Sequence, residues 1–456
     1  MARDGLRRFL PPDAPAWGAA AAGACLILVV AVVVVLRPGP SRPHCDRENL
    51  VIVGGTDVSL NFQRRKLVQE WNEGKPGDPP PRHATLVEVA DSTDLQHSQI
   101  KAVEESGGCD YDVLIMDNTW TAQFASSGYL RPLDDIRDGD DFFGPALKTG
   151  AWKGEQYAVP FNVDVGLLYA RKGANVPTAW PGLLDEGVAM QLADYEGLTV
   201  NALEAVWNDG GAGLLSGDGH PGEADLRERV FPALVRLAKE QGRLAGSRQA
   251  KEQDSIKAFL SGTSLMRNWP YAFSALATEP RMRNGDELEF DVRALPGDGV
   301  LGGQNLAVSA YSPHPEDAAE LVKFLSAKNS QSKLFSCGGF APARYSALGL
   351  RPGDLSPSAV SVPPCDLGKD KSEAEESFLP SQAQLTTLGR AIVGALPRAK
   401  SRPVTPHYST FSATFRGCVE RIFRDEDANP QNDAHVDAAK FAEAVERSLD
   451  GRTASC

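Results

Sequence analysis

The chain reads as an α/β protein of two lobes, and three observations carry that reading. Short apolar strands alternate with helical stretches, starting with Leu50 to Gly55, Thr85 to Ala90 and Val113 to Met116, which is the pattern of parallel α/β layers. The 456 residues exceed what a single core supports. Finally, a crossing strand near Val163 to Leu168 has a returning partner at Asp291 to Leu295 and a further departure near residue 330. More than one strand then joins the lobes, which makes a hinge with a closable cleft.

Residues 1–15 precede the fold and carry Arg3, Arg7 and Arg8. The uncharged stretch from Ala16 to Leu36 follows, and as a helix it would span roughly 31 Å, the thickness of a bilayer core. The positive-inside rule keeps those arginines cytoplasmic and exports the rest. Small residues stand before the Val-rich core and Arg37-Pro38-Gly39-Pro40 after it, an order that favours an uncleaved signal anchor over a cleaved signal peptide. Residues 37–46 are a Pro-rich stalk. The expected location is the cell membrane, single-pass, with the bulk of the chain extracellular.

Charge and cysteines narrow the function. Setting aside the five basic and two acidic residues of positions 1–44 leaves 42 Lys and Arg against 58 Asp and Glu, a net −16, which disfavours nucleic acid as a partner. Six exported cysteines, Cys45, Cys109, Cys337, Cys365, Cys418 and Cys456, imply disulfides, with Cys337 and Cys365 the first pair to expect around a Pro/Gly/Ser-rich loop. No Cys/His cluster, H-E-x-x-H, G-x-S-x-G or P-loop is present. Asp425 to Pro430 imitates the opening of a calcium loop, but proline occupies the required glycine position. No cofactor, metal or catalysis is expected.

Within the exported part, Phe62 to Trp71 and Ser98 to Glu105 read as helices between the first strands, Gly154 as a tight turn, and Tyr157 to Pro160 as extended. From Pro177 to about Asp291 the chain reads as mostly helical, with Asp225 to Gln241 and Asp254 to Leu260 the clearest stretches. Glu316 to Ser326 is an amphipathic helix, Arg351 to Glu376 a surface excursion, and Ala434 to Leu449 a last helix capped by Gly451.

Several stretches add a resemblance. Tyr111 to Arg171, Pro177-Thr178-Ala179-Trp180, Trp207-Asn208-Asp209-Gly210-Gly211, Ala258 to Met266, Leu295-Pro296-Gly297, Gly302 to Val308 and Pro342-Ala343-Arg344 follow one another in a single order. Over roughly Leu50 to Leu449 the chain resembles the extracellular solute-binding proteins of ABC importers, specifically the maltose-binding-protein-like sugar group, with Ser264 and Leu265 standing where that family has two alanines. The resemblance implies a periplasmic-binding-protein-like type II fold. Lobe 1 takes residues 47–165 and about 295–330; lobe 2 takes 166–294 and about 331–450.

A sugar cleft needs aromatic platforms for ring faces and paired polar groups for hydroxyls. Trp269 and Tyr271 follow the Ala258 to Met266 segment, and Trp207 with Gly211 lies in the family's glycine loop. Asp164, between Val163 and Val165, must find a partner for its carboxylate, either a ligand hydroxyl or an interlobe bond. Asp57, Asn118 and Trp120 end strands that face the cleft, as ligand contacts or helix caps, and Asn305 and Arg344 follow family positions near the hinge.

The function implied is capture of a sugar or oligosaccharide by a monomeric binding protein, closure of the lobes, and delivery to ABC permease subunits. An anchored sensor or presenting module without transport is the second reading, and a surface glycan hydrolase the third.

Overall fold

The larger sheet is apolar through its middle, and this sets its first strands. β1 (Leu50–Gly55) lies parallel to β2 (Ala84–Val89) on one side and β3 (Val113–Asp117) on the other. Leu50, Ile52, Val53, Val113, Leu114 and Met116 are all buried, so the strands read as continuous apolar runs rather than alternating ones. The computed structural model describes residues 45, 47–74, 79–90, 92–133, 139–240, 244, 246–366, 379–427 and 436–456. Residues from Asp46 onward form one compact unit.

Two crossings connect this sheet to a smaller one. β4 (Ala158–Val165) passes through Gly166 into β5 (Leu167–Arg171). A Cβ at Gly166 would lie 2.6 Å from Glu204 Oε1, so no larger residue fits the crossing. In the smaller sheet β5 is flanked, antiparallel, by β6 (Leu265–Asn268) and β7 (Phe290–Ala294). The chain returns from β7 into the long β8 (Gly299–Val308), which pairs antiparallel with both β3 and β4. A short β9 (Ala399–Ser401) pairs parallel with the start of β8.

The helices divide between the sheets. α1 (Gln63–Glu73) and α2 (Thr93–Glu105) belong to the larger sheet, while α3 (Glu196–Asn208), α4 (Phe231–Glu240) and α5 (Glu252–Leu260) lie between β5 and β7 in the chain. α6 (Pro315–Ser326) packs on β8 and β4, and α7 (Lys328–Gly338) packs on α1, so the chain still rests on the larger sheet where a departure near 330 was expected. α8 (Gln382–Ala395) covers β7 behind a capping box of Ser381 and Gln384. α9 (Tyr408–Asp427) and α10 (Ala438–Leu449) pack with α3 and α4 around a second apolar cluster. In α10, Phe441, Ala442, Val445, Ser448 and Leu449 are buried at helical spacing, and Gly451 follows at φ 79°.

The two-lobed α/β architecture agrees with the sequence reading, and three details differ. The expected crossing strand is two strands broken at Gly166. The region between Pro177 and Asp291 contains β6, a four-residue strand whose Arg267 and Asn268 hid its burial. The second helix begins at Thr93, before Ser98. Cys337 bonds Cys365 as expected and Cys418 bonds Cys456; Cys45 and Cys109 are disulfide-bonded as well. The apolar stretch Ala16 to Leu36 and part of the Asp425 to Pro430 loop lie outside the described residues. Among the described residues no helix is long and apolar enough to cross a membrane.

Candidate ligand-binding cleft

Early in β8, where the chain has just returned from the smaller sheet, Gly302 and Gly303 form the floor of a cavity of about 530 Å³ that both lobes line. Gly303 has φ 120°, and a Cβ there would meet the Asn162 carbonyl at 2.4 Å, so the floor excludes a side chain. From the larger sheet come Arg64, Gln96, Asp117 and Gln304; from the smaller come Tyr195, Glu196, Glu252 and Trp269.

Rings make one wall. Trp269 follows β6, and the Arg267 guanidinium lies 3.9 Å from its ring centroid. Arg267 is itself held at 2.9 and 2.6 Å by both carboxylate oxygens of Glu204, and both side chains are fully buried. The indole is therefore braced on one face by a cation that is itself fixed by Glu204. Tyr271 stacks on Phe340 at 5.8 Å between centroids and 21° between planes. Glu252, at the start of α5, stands beside Tyr195 and Trp269, and burial raises its pKa.

Carboxylates face this wall. Asp164 Oδ2 receives a long bond from Asn162 at 3.4 Å, and its Oδ1 is buried with no hydrogen-bond partner among the described residues. Burial first, and the neighbouring Asp117 second, push Asp164 up to about 7. Arg64 donates to Gln304 Oε1 at 2.6 Å and to the Gly55 carbonyl at 3.3 Å, and burial lowers its pKa. Arg402, just after β9, reaches Glu196 at 2.7 Å in one lobe, and Asp117 and the side-chain Oδ1 of Asn118 at 2.9 Å in the other. Burial opposes its charge, but Asp117, Tyr408 and Glu196 raise its pKa well above the ordinary value.

The lobes also touch beyond the cavity. Arg416 of α9 lies 3.1 Å from Asp94 of α2, and Ser409 Oγ lies 3.1 Å from His97 Nε2, which also meets Gln123 at 2.7 Å. These contacts join the Arg402 network, because Arg416 also lies 3.8 Å from Glu196.

A family model described as bacterial extracellular solute-binding protein matches residues 82–354. The chain belongs to this family of bacterial extracellular solute-binding proteins. Among curated proteins, this solute-binding protein is similar to a probable ABC transporter-binding protein of Deinococcus radiodurans, 27% identical over 319 residues, or 60% of this chain and 74% of the relative. Its fold is similar to T. maritima MalE3 with maltose bound, at TM-score 0.66 and 22% identity, covering 88% of this chain and 99% of that one. It is equally similar, at TM-score 0.66 and 20% identity over 88% and 100%, to an ABC transporter solute-binding protein of Thermotoga lettingae bound with α-D-tagatose. At these identities the structural likeness establishes the fold alone.

Of the ten residues chosen from sequence, the structure brings Asp164, Trp269 and Tyr271 into the cleft of this solute-binding protein. The others sit elsewhere. Trp207 is 3% exposed in the second apolar cluster and donates its indole N–H to the Leu214 carbonyl, while Gly211 closes the end of α3 against Val206. Asp57 accepts from the backbone N–H groups of Ser59 and Arg64, capping the turn into α1. Asn118 is buried between Arg402 and the Leu301 carbonyl, and Trp120 packs edge-on to His97. Asn305 is bonded to Thr121 and Thr149. Arg344 lies over the Phe142 ring beside Asp141 on the outer face of the larger sheet. The sequence reading missed Arg64, Glu196, Glu252, Phe340 and Arg402, because each reaches the cleft from a segment with no motif of its own. Glu196 and Glu252 alone left a signal, each as an acidic residue at the first turn of a helix.

Proposed function

We propose that the protein captures a carbohydrate outside the cell in the cleft between its lobes and hands it to an ABC import permease. The observation that carries this reading is the pairing of Trp269 and Tyr271 in one wall with the unbonded Oδ1 of Asp164 at the same cavity. A sugar presents flat apolar faces and hydroxyl edges, and this arrangement offers a surface for each. The names of the relatives, an ABC transporter-binding protein and binding proteins holding maltose or tagatose, point the same way. Ligand bound to both lobes favours the closed form by its differential affinity, and the permease reads closure.

In this reading Asp164, Trp269 and Tyr271, joined by Arg64, Glu252 and Gln304, contact ligand. Lobe 1 takes residues 47–165 and 299–350, and lobe 2 takes 166–298 and 379–456. The protein acts as a monomer held to the membrane by Ala16 to Leu36. Thermal-shift and intrinsic-fluorescence titration against a panel of mono- and oligosaccharides tests the proposal. A raised melting temperature with a change in Trp emission for at least one sugar supports it, and a silent panel rejects it.

A further inference from the structure

The cleft is short of positive charge. Its lining carries five carboxylates, Asp117, Asp164, Glu196, Glu252 and Asp254, against three cations, Arg64, Lys251 and Arg402. The cations nearest Asp164 are already engaged. Arg402 is shared among Glu196, Asp117 and Asn118, Arg64 is turned to Gln304 and the Gly55 carbonyl, and Arg267 is chelated by Glu204. Asp254 pairs outward with Lys257 at 3.2 Å. Asp164 keeps a buried oxygen with no hydrogen-bond partner among the described residues, and burial first, with Asp117 second, raises its pKa against the opposing pull of Arg64, Arg267 and Arg402. A metal ion does not fit the deficit, because among the described residues no group of three His, Cys, Asp or Glu is placed to hold one.

We infer that the ligand carries a positive charge among its hydroxyls, as an amino sugar does, with its ammonium against Asp164 and its ring against Trp269. The inference rests on the carbohydrate reading above and narrows it to one chemical class. An ammonium supplies N–H donors to the free Asp164 oxygen, and Glu252 beside Trp269 adds a second negative neighbour. A neutral sugar would leave the excess of carboxylates over cations in the cleft unchanged, so the cleft selects by charge as well as by shape.

Calorimetric titration of the full chain tests this with three matched ligands: glucosamine, glucose and N-acetylglucosamine, and the corresponding galactose series. The expected result is that the amine binds about tenfold tighter than its neutral parent and its N-acetyl form, the advantage of one charge-assisted contact. In Asp164→Asn, the ratio of amine to neutral affinity should collapse toward one, and that ratio, not the overall affinity, is the readout. The ligand series needs no variant, so a poorly folding D164N leaves the test intact. Neutral or N-acetyl sugars binding as tightly as the amines overturns the inference while leaving the carbohydrate reading standing. Absence of binding by these sugars and by the wider mono- and oligosaccharide panel overturns both.

Discussion

Arg402 and Asp117 meet at 2.9 Å across the cleft, one at the end of a strand contributed late in the chain and the other at the end of β3. The same guanidinium holds Glu196 at 2.7 Å in the opposite lobe, so a single buried cation compensates two carboxylates and ties the lobes together. Removing it takes the ion-pair partner from Asp117 and leaves Glu196 with the more distant Arg416 at 3.8 Å, which costs more than the intact group contributes on its own.

Arg402→Met should therefore destabilise the protein by about 3 kcal/mol or more, by analogy with other broken buried pairs. Urea denaturation measures the loss. Small-angle scattering should also show a larger radius for the variant, because the interlobe tie is cut.

Arg267 and Glu204 make a second test, since both are fully buried and joined by two bonds. Glu204→Gln keeps the shape but leaves the guanidinium without its charge partner, and should cost about 3 kcal/mol. Because Arg267 braces Trp269, the variant should also weaken sugar binding; unchanged affinity would separate the brace from the wall.

The two tryptophans singled out in the sequence should now behave differently. Trp269→Ala should weaken ligand binding by roughly 1 to 3 kcal/mol with a modest effect on stability, as expected for an aromatic platform. Trp207→Ala should cost about 3 to 5 kcal/mol of stability as a core truncation, and leave affinity nearly unchanged. Paired calorimetry and denaturation distinguish the two outcomes.

Two buried carboxyls fix the expected pH dependence. Burial raises Asp164 from 3.8 to about 7 and raises Glu104 from 4.5 to about 8, where the Ser309 hydroxyl opposes the shift and Asp110 adds to it. The folded state holds these protons more tightly than the unfolded chain. Stability from these groups is therefore fully present at acid pH and is lost as pH rises toward 7 and 8. Asp164→Asn and Glu104→Gln should each raise the melting temperature at neutral pH and flatten its decline between pH 5 and 8, on the order of the windows these values define. A melting temperature unchanged in both variants at every pH counts against the buried, uncompensated state of the two acids.

Most of the fold was legible because its strands are buried on both faces and its late helices are amphipathic. Leu50 to Gly55 and Val113 to Met116 announce themselves as apolar runs, and the Cys337–Cys365 bridge follows from cysteines flanking a Pro/Gly/Ser-rich loop. The cleft was legible only in part. Asp164, Trp269 and Tyr271 stood out as a carboxylate in an apolar strand and rings beside a proline. Trp207 and Asn305 carried the same chemical promise, yet their partners, the Leu214 carbonyl and Thr121 with Thr149, turn them inward. The pairing of Arg402 with Glu196 was invisible because it is a contact across 206 positions of sequence, which no local pattern encodes.

The short strand Ala399–Ser401 beside β8 changes the mechanics of the molecule. Two bodies on one ribbon swivel about any axis, whereas two crossing ribbons, one of them backed by this strand, resist torsion and yield chiefly to bending. The halves should accordingly nod along a single arc, so that every ligand admitted meets the same pair of jaws in the same alignment.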